Sequence, residues 1–370
     1  MKILIVSNSF YPENSPRSNR TTELAIELSK QGHNVTVIMP TNTHDYTPFL
    51  NRNANLQLKT YKPLKNKGIR VFGGKIDYLL NKFLEYFLHF PYLNLLFRLP
   101  SVLKNEQNHD LLISIAFPHP VHWGVARALK KHPHIANKWI ADCGDPFMKN
   151  DGRGFRKKMF YFKYFEKKWC RRSNFITVPY EQQRTKYYSE FKEKIKVIPQ
   201  GFNLTNIKII KGEPNNTVPT FIYAGTFYLK HRNPNLFLTY LATLNINFKF
   251  IVYTNRPDLI RTFKRKLVDK LYICEFIPRE DLIHQMSKAD FLVNIENGNE
   301  INERPSKLID YSLSGRPVLS INSFYLDEEN ILKFLKGDYS GKMIMPNIDQ
   351  YRIENVAKKF LDLTVDRCKA

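Results

Sequence analysis

The start of the chain constrains the fold most strongly, because it reads as a strand, a loop, a helix and a second strand. Residues 2–6 form a short apolar run, which predicts a buried strand and is too short for a signal peptide. A helix is predicted over 20–30, with Gly32 as its stop, and residues 34–39 are β-branched enough to form the next strand. Such a strand–helix–strand unit predicts a parallel sheet covered by helices.

The same α/β pattern continues through the first half of the chain and begins again in the second. Strands are predicted at 110–115, 138–141, 175–178, 195–198, 220–224, 248–253, 271–274, 291–295 and 317–321, and helices at 235–243, 279–288, 306–313 and 351–363. The run 211–216 is rich in Pro, Asn and Gly, and it is the best linker candidate. We therefore predict an amino-terminal domain over 1–205, a second domain over 217–348, and a terminal helical segment over 349–370 that packs back toward the first domain. Two doubly wound domains of this kind bind ligands at the carboxyl ends of their strands.

Composition narrows the classes of function. The chain has 370 residues, of which 43% are hydrophobic, so it can fill two cores and is not disordered as a whole. Lys and Arg number 57 against 34 Asp and Glu, and the net charge of +23 predicts an anionic partner: nucleic acid, anionic lipid or a phosphate-bearing substrate. The four cysteines have no metal-ligand spacing, and no apolar stretch approaches the roughly 20 residues of a membrane span. These features predict a cytoplasmic protein without a disulfide framework or a zinc site.

The segment 303–317 carries the clearest functional pattern. It predicts a loop, a short helix capped by Ser306, a glycine stop at Gly315 and a buried strand. A helix amino terminus offers free N–H groups and a partial positive charge, which suits a diphosphate, and Lys307 adds a full charge there. Asp310 lies one turn further and can accept hydrogen bonds from ribose hydroxyl groups. An ordinary capped surface helix would give the same pattern, so spacing alone leaves both interpretations open.

This segment resembles the donor-binding signature of family 4 glycosyltransferases, in which E-x7-E leads into a helix of small residues and then G-x-P-V. By that spacing Asp310 takes the second acidic position, which in the family holds the ribose. The first acidic position, which binds the transferred sugar, falls on Asn302. Glu303 or Glu300 could substitute for it, as could the backbone amides of 297–299. The resemblance implies a GT-B fold, with two Rossmann-like domains whose parallel sheets face each other across a cleft.

A second segment, 221–228, resembles the family's first strand of the carboxy-terminal domain and its glycine loop, here Gly225 and Thr226. In the family a basic residue after this loop contacts the donor diphosphate. Arg232 is the first candidate for that role and Lys230 is the second. A solvated loop arginine is the alternative interpretation.

The segment 197–203 resembles the family's I-P-N-G hinge, where Gly201 would permit a tight turn. A plain interdomain turn is the alternative. Residues 10–20 match the family's first loop, but residues 15–18 read Ser-Pro-Arg-Ser where most members carry a Gly-Gly pair. Arg20, at the predicted helix start, is a candidate contact for a phosphate or for the acceptor, or else a surface residue.

Residues 116–122 follow a predicted strand and bring histidine to its carboxyl end. A histidine there resembles the family's donor-sugar contact, and His122 fits the usual placement better than His119. A structural histidine is the alternative. Residues 139–147 resemble the family's W-I-x-D-x-R-D-P-W, with Gly144 in the place of the arginine.

Two aromatic and basic stretches point to a membrane surface. Residues 153–172 combine dense cations with Phe, Tyr and Trp, and Glu166 is the only acid among them. Such a helix suits the headgroup layer of an anionic membrane, where each cation contributes on the order of 1 kcal/mol. Residues 75–99 are similarly aromatic and could be a second apolar patch or a helical hairpin covering the acceptor groove. The alternative is that the aromatics fill the core and the cations form a solvated face.

The resemblance implies a retaining transfer from a nucleoside diphosphate sugar, of UDP or GDP type, to a glycan or lipid-linked acceptor. It implies no permanently bound cofactor and no metal, and the sequence has no Asp-x-Asp motif. Arg232 and Lys307 would stabilise the charge on the leaving diphosphate, with His122 at the sugar. Family members of this size and charge commonly extend surface polysaccharides on the inner face of the cell membrane, which predicts a peripheral membrane protein.

Three alternatives are open. A GT-B epimerase would need acid and base carboxylates in the cleft. A non-catalytic homologue would explain the departures at Asn302 and at 15–18. A basic nucleic-acid-binding protein would use the +23 charge, but the sequence has no recognisable binding module, so no nucleic acid partner is expected.

Overall fold

The computed structural model describes residues 1–13, 15–62, 73–149, 158–205, 207–210, 212–230, 232–296, 307–345 and 347–365. The chain forms two compact units. Unit 1 comprises Met1–Asn203 with Gln350–Ala370, and unit 2 comprises Leu204–Asp349.

Unit 1 is built on a parallel sheet in which seven strands of the described residues follow the order β3-β2-β1-β4-β5-β6-β7. The strands are β1 (Lys2–Ser7), β2 (Asn34–Pro40), β3 (Leu56–Tyr61), β4 (His109–Ile115), β5 (Ala136–Asp142), β6 (Phe175–Val178) and β7 (Ile195–Val197). The helices between them are α1 (Pro16–Lys30), α2 (Thr47–Asn51), α3 (Gly74–Leu88), α4 (Leu95–Leu103), α5 (Pro120–Lys131) and α6 (Phe162–Arg172).

Strand β1 shows why the apolar run at the amino terminus forms a central strand. Leu4 and Val6 pack into one hydrophobic core, whereas Ile3 and Ile5 pack into another on the opposite face of the sheet. All four side chains are fully buried. A parallel strand that is buried on both faces needs a continuous apolar run rather than an alternating one, and this is what the sequence provides.

Helix α1 begins at Pro16, one turn before the predicted start at Arg20. The Ser15 hydroxyl accepts a hydrogen bond from the backbone N–H of Ser18 at 3.2 Å. Pro16 occupies the first turn, where a missing N–H costs nothing. The Ser-Pro pair therefore starts the helix, and both Arg17 and Arg20 lie on it.

Unit 2 is built on a parallel sheet in which five strands of the described residues follow the order β10-β9-β8-β11-β12. The strands are β8 (Thr220–Ala224), β9 (Lys249–Tyr253), β10 (Leu271–Cys274), β11 (Phe291–Ile295) and β12 (Val318–Ile321). The helices are α7 (Asn235–Thr243), α8 (Arg279–Met286), α9 (Lys307–Ser314) and α10 (Glu328–Leu335). Along β8, Phe221 and Tyr223 enter one core and Ile222 enters the other, so this sheet is also covered on both faces.

The last described helix, α11 (Ile353–Asp362), belongs to unit 1 and packs against α1. It buries Val356 and Phe360. A Cβ atom on Gly201 would lie 2.6 Å from Ile353 Cδ1. The glycine expected at a hinge is therefore needed because α11 approaches its backbone closely, and the structure gives Gly201 a packing role.

Both sheets have a point at which the strand order reverses. It lies between β1 and β4 in unit 1, and between β8 and β11 in unit 2. Ligands of doubly wound sheets bind outside the carboxyl ends of the strands at such a point. The segments that leave β1, β4 and β8, together with the amino terminus of α9, are therefore where this fold favours binding sites.

Candidate functional site

The site in unit 2 is organised by the side chain of Tyr311, which is fully buried. Its hydroxyl group accepts a hydrogen bond from the backbone N–H of Ala224 at 2.9 Å, and it donates to the carbonyl oxygen of Val293 at 3.1 Å. Because these two residues lie in neighbouring strands, the bonds hold α9 against the reversal point of the sheet. The first residue of α9, Lys307, is thereby fixed next to the carboxyl end of β8.

The amine of Lys307 lies in unusual surroundings for a lysine. Its side chain is half-buried, but its Nζ atom is shielded from solvent, and no acceptor among the described residues contacts it. The ammonium group lies 4.8 Å from the ring centroid of Tyr223 and 5.8 Å from that of Tyr311. Burial, and then the positive charge of Arg232, hold the pKa of Lys307 well below its usual value. A cation in these surroundings is stabilised when an anion binds beside it.

The glycine loop after β8 lies against Lys307. Gly225 has φ = +150°, a conformation that favours glycine, and a Cβ there would meet the Tyr223 hydroxyl at 3.3 Å and Lys307 Cδ at 3.8 Å. The loop then turns back on itself, because Arg232 N–H donates to the carbonyl oxygen of Tyr228 at 2.9 Å. After this turn, the positive charge of Arg232 is close enough to lower the pKa of Lys307.

Two further residues that the sequence predicted lie around this loop. Thr226 is half-buried, and its carbonyl oxygen accepts a hydrogen bond from the Tyr223 hydroxyl at 3.3 Å. Lys230 is exposed. Between the two basic candidates, Arg232 is therefore the one whose charge acts on Lys307 and on Tyr223.

Asp310, the predicted ribose contact, is paired with a residue that the sequence did not single out. Arg279, at the start of α8, donates to Asp310 Oδ1 from Nε at 2.8 Å and from Nη2 at 2.5 Å. Burial raises the pKa of Asp310, and the Arg279 charge opposes that rise. The ion pair fixes the carboxylate one turn beyond Lys307. Asn302, Glu303 and Ser306, predicted to hold the sugar and to cap α9, lie outside the described residues.

Unit 1 has a cavity of about 730 Å³ at the reversal point of its own sheet. Its wall is formed by Arg17 after β1, by His119 after β4, by Gly144 and Asp145 after β5, and by residues of α3. His119 is 6% exposed and is one of the residues that line this cavity. Of the two candidate histidines, the cavity is therefore lined by His119.

His122, which the sequence favoured for the sugar contact, is fully buried in the core instead. Its Nδ1 atom lies 2.8 Å from Ser114 Oγ, its Nε2 atom lies 3.2 Å from Cys143 Sγ, and its ring packs at 4.8 Å from Trp169. Burial lowers the pKa of His122 to about 3, so the ring is neutral at physiological pH. His119 is the N-cap residue that precedes α5, whereas His122 lies in the first turn of the helix. A sequence pattern at this spacing does not show which of the two side chains reaches the cavity.

His119, His122 and Cys143 bring possible metal-ligand atoms within 4.8 Å of one another. The geometry is better explained as a hydrogen-bonded core, since the imidazole of His122 already contacts the thiol. Burial raises the pKa of the Cys143 thiol, and the nearby charges of Arg17 and Lys158 oppose a further cation. We assign no metal to this cluster.

Arg20 was expected to contact a phosphate or the acceptor, and the structure gives it partners inside the protein. Its guanidinium group donates to Asp142 Oδ2 at 3.1 Å and to Oδ1 at 2.9 Å, and also to the carbonyl oxygens of Ile198 and Pro199. Only 3% of its surface is exposed. Burial would raise the pKa of Asp142, but Arg20, Arg17 and Thr177 together hold it below its usual value. The pair links α1, the end of β5 and the segment after β7.

Comparisons with known proteins agree with this architecture. No protein-family model matches the sequence, and no curated protein sequence gives a significant match. Solved structures do match. The lipopolysaccharide outer core galactosyltransferase WaaB has a TM-score of 0.60 and 10% identity, with 98% of this chain and 99% of that chain covered. A glycosyltransferase from Rickettsia africae has a TM-score of 0.62 and 12% identity, with 98% and 97% covered.

A third match is S. aureus TarM, solved as a variant in complex with fondaparinux, α-GlcNAc-glycerol and UDP. Its TM-score is 0.54 at 11% identity, with 98% of this chain and 100% of that chain covered. The fold is GT-B. Two units with parallel Rossmann-like sheets, as the sequence predicted, are the architecture of these glycosyltransferases.

The Arg20–Asp142 pair gives the first testable prediction. Replacing Arg20 by Leu leaves a buried carboxylate without its main partner, so we expect unfolding at neutral pH to cost about 3–5 kcal/mol less than in the unaltered chain. The pKa of Asp142 in the folded protein is lower than its ordinary value of about 3.9. The stability that the pair supplies is therefore fully present at pH values above about 3.9, and it is lost as the pH falls through the folded pKa. The deficit of R20L should therefore shrink in acid.

Urea unfolding of both proteins across this pH range is the measurement. Arg52→Leu, at an exposed arginine of unit 1, is the matched control and should unfold like the unaltered chain. A deficit in R20L that is equally large at every pH would contradict the account.

Proposed function

We propose that the chain is a retaining glycosyltransferase that moves a sugar from a nucleoside diphosphate sugar to a glycan or lipid-linked acceptor. The observation that carries the proposal is the shielded amine of Lys307 at the carboxyl end of β8, which has no acceptor among the described residues. The positive charge of Arg232 acts on the same amine. In a GT-B fold this is the reversal point of a doubly wound sheet, where a ligand is expected. A diphosphate supplies the negative charge that the amine of Lys307 lacks among the described residues.

The arrangement suggests how the transfer proceeds. The bond between the anomeric carbon and the diphosphate oxygen breaks, a bond from the acceptor hydroxyl oxygen forms on the same face of the sugar, and the acceptor proton passes to the leaving phosphate. Negative charge grows on the diphosphate during this step. Lys307 and Arg232, which are already fixed and partly dehydrated, stabilise that charge without reorganisation. Gly225 leaves room for the phosphates to approach the backbone.

The donor is bound as a substrate, and no permanently held cofactor is part of the proposal. UDP was present in the similar TarM structure, which makes uridine diphosphate the first nucleotide to test, with GDP second. Asp310, held by Arg279, is the proposed ribose contact. WaaB is named as a lipopolysaccharide galactosyltransferase, and this supports an acceptor in surface polysaccharide synthesis.

The nucleotide site is tested with Lys307→Met, which keeps the length of the side chain and removes its charge. UDP or GDP should raise the melting temperature of the unaltered protein, and K307M should bind the same nucleotide about 10- to 100-fold more weakly. Without nucleotide, K307M should melt at a higher temperature than the unaltered chain, because a buried unpaired charge has been removed. A merely structural lysine would not produce this opposite pair of effects.

The measurements are thermal unfolding and calorimetric titration with each nucleotide. Lys336→Met, at an exposed lysine of unit 2, should behave like the unaltered protein. The proposal fails if neither nucleotide shifts the melting temperature, or if K307M binds it as tightly. The configuration of the product, read by proton NMR after transfer from the active donor, tests retention.

We also propose that the protein attaches to the inner surface of the cell membrane. Among the described residues, none of the helices has both the length and the hydropathy that crossing a bilayer requires. Attachment would instead use side chains that the fold leaves outside. On α3 and near α6 the exposed large apolar residues are Ile76, Tyr78, Leu79, Phe83, Leu88, Phe160 and Tyr164. Exposed lysines of α6 lie beside them, which favours an anionic headgroup layer.

Sedimentation with vesicles tests this attachment. Binding to vesicles that contain anionic lipid should fall steeply with added salt, and Leu79→Ser with Phe83→Ser should weaken it without changing the melting temperature. Phe324→Ser, at an equally exposed aromatic residue of unit 2, is the control. Binding that ignores salt and the α3 substitutions would rule out this surface.

A further inference from the structure

The cavity of unit 1 has walls of two chemical kinds. One part is aromatic, with Tyr78 from α3 and the contacting rings of Tyr92 and Phe117. The other part carries Arg17, Lys82 and Lys158, three cations from different segments of the chain. With a volume of about 730 Å³, the cavity falls within the 300–1,000 Å³ that ligand pockets usually have.

We propose that this cavity binds a phosphate group carried on an apolar chain, with Arg17 as the residue that holds the phosphate. The proposal rests on the proposed function, which it deepens by naming the acceptor class as a lipid phosphate. It depends only on residues of unit 1, so it can be tested without the donor.

The charge of Arg17 is only partly neutralised inside the protein. Arg20 makes the close contacts with Asp142, at 2.9 and 3.1 Å, whereas Arg17 Nη1 lies 3.8 Å from the same carboxylate. Two guanidinium groups therefore share one carboxylate, and a net positive charge is left. It resides on Arg17, whose side chain is 22% exposed and lines the cavity.

Gly144 provides the space in which the guanidinium group of Arg17 lies. A Cβ atom at this glycine would overlap Arg17 Nη2 and would lie 2.6 Å from Cζ. Gly144 is not among the glycines with positive φ, so its backbone does not require glycine. The requirement is space, because any side chain at position 144 would push the guanidinium group away from this wall. The absence of a side chain at Gly144 therefore allows Arg17 to hold its guanidinium group at this wall of the cavity.

The remaining polar groups of the wall leave the surplus positive charge in place. Lys158 Nζ lies 3.3 Å from the ring centroid of Phe147, and burial lowers the pKa of this lysine to about 8, against the opposing charge of Glu166. It is still mostly protonated at neutral pH. The two acids of the wall have partners of their own, since Asp145 accepts from Gln183 at 2.8 Å and Glu85 pairs with Lys82 of the same wall at 3.1 Å.

Two histidines add polarity without charge. Burial lowers the pKa of His89 to about 4 and holds that of His119 well below its usual value, so both rings are neutral. His119 Nδ1 and His89 Nε2 are shielded from solvent and have no hydrogen-bond partner among the described residues. Both side chains line the cavity without adding to its charge, so the surplus positive charge on Arg17 is unchanged.

The test is calorimetric titration of the full chain with decyl phosphate, decanol and inorganic phosphate, all below the micelle-forming concentration. Decyl phosphate should bind more tightly than either of the other two ligands. Arg17→Gln should weaken its binding about 10- to 100-fold, the effect of removing a charge-assisted hydrogen bond. Arg127→Gln, at a half-buried arginine of α5 outside this cavity, should leave binding unchanged.

Gly144→Ala tests the position of Arg17 separately from its charge, because it removes no charge and adds one methyl group. It should weaken decyl phosphate binding as Arg17→Gln does, and the double variant should be no weaker than either single variant, because both changes remove the same contact. The UDP-induced rise in melting temperature should persist in all variants, since unit 2 is unaltered. That rise separates this proposal from the nucleotide site and reports that the variants are folded.

Three results would overturn the proposal. If decanol binds as tightly as decyl phosphate, the cavity does not recognise the anion. If inorganic phosphate binds as tightly, it does not use the apolar chain. If R17Q and G144A bind decyl phosphate like the unaltered protein while UDP still shifts the melting temperature, the ligand lies elsewhere.

Discussion

A buried charge is costly unless an opposite charge or hydrogen-bond partners balance it. Unit 1 balances its buried arginine within the protein, whereas unit 2 leaves a lysine amine without an acceptor among the described residues. In unit 1, Arg20 is almost completely buried, and its donors are taken up by Asp142 and by two backbone carbonyl oxygens. Its cation also lies 5.1 Å from the ring of Phe360, so one side chain ties α1, β5 and α11 together. In unit 2, the amine of Lys307 is shielded but has no acceptor among the described residues. The Arg20 arrangement stabilises the fold of unit 1, whereas the Lys307 arrangement leaves a positive charge that an anionic ligand can balance.

Much of the fold could be predicted from the sequence, because strands buried on both faces need continuous apolar runs. β8 and β11 coincide with their predicted bounds for that reason. β3 was not predicted: it lies at the edge of its sheet, and most of its residues are at least partly exposed. The start of α1 was placed a turn too late, since a Ser-Pro cap within a polar loop gives little periodicity to read. Local patterns therefore locate central strands well and locate edges and helix starts less well.

The positions of candidate site residues could be predicted where a motif determines the course of the backbone. They could be predicted less well where the direction of a side chain determines whether it faces the site or the core. Lys307 and Gly225 follow from the spacing of the glycine loop and the helix that it faces. Arg20, His122 and Gly201 lie near the predicted places, but their side chains or backbone face the core, which depends on contacts with distant segments. The proposed role of Arg17 could not be predicted from sequence, because it depends on the space at Gly144, more than a hundred residues away. An arginine and a glycine that both depart from the family pattern were the available signal, and only their contact shows that they belong together.

We propose that the amine of Lys307 provides a positive charge that binds a diphosphate. NMR of protein labelled with isotope in its lysines can follow this one amine through a pH titration, with its signal assigned by its loss in a Lys307 variant. Without nucleotide, the account predicts that Lys307 titrates well below the usual lysine pKa of about 10.4, and that saturating UDP or GDP raises its pKa toward that value. A Lys307 signal that titrates with the exposed lysines and does not respond to either nucleotide would contradict the account.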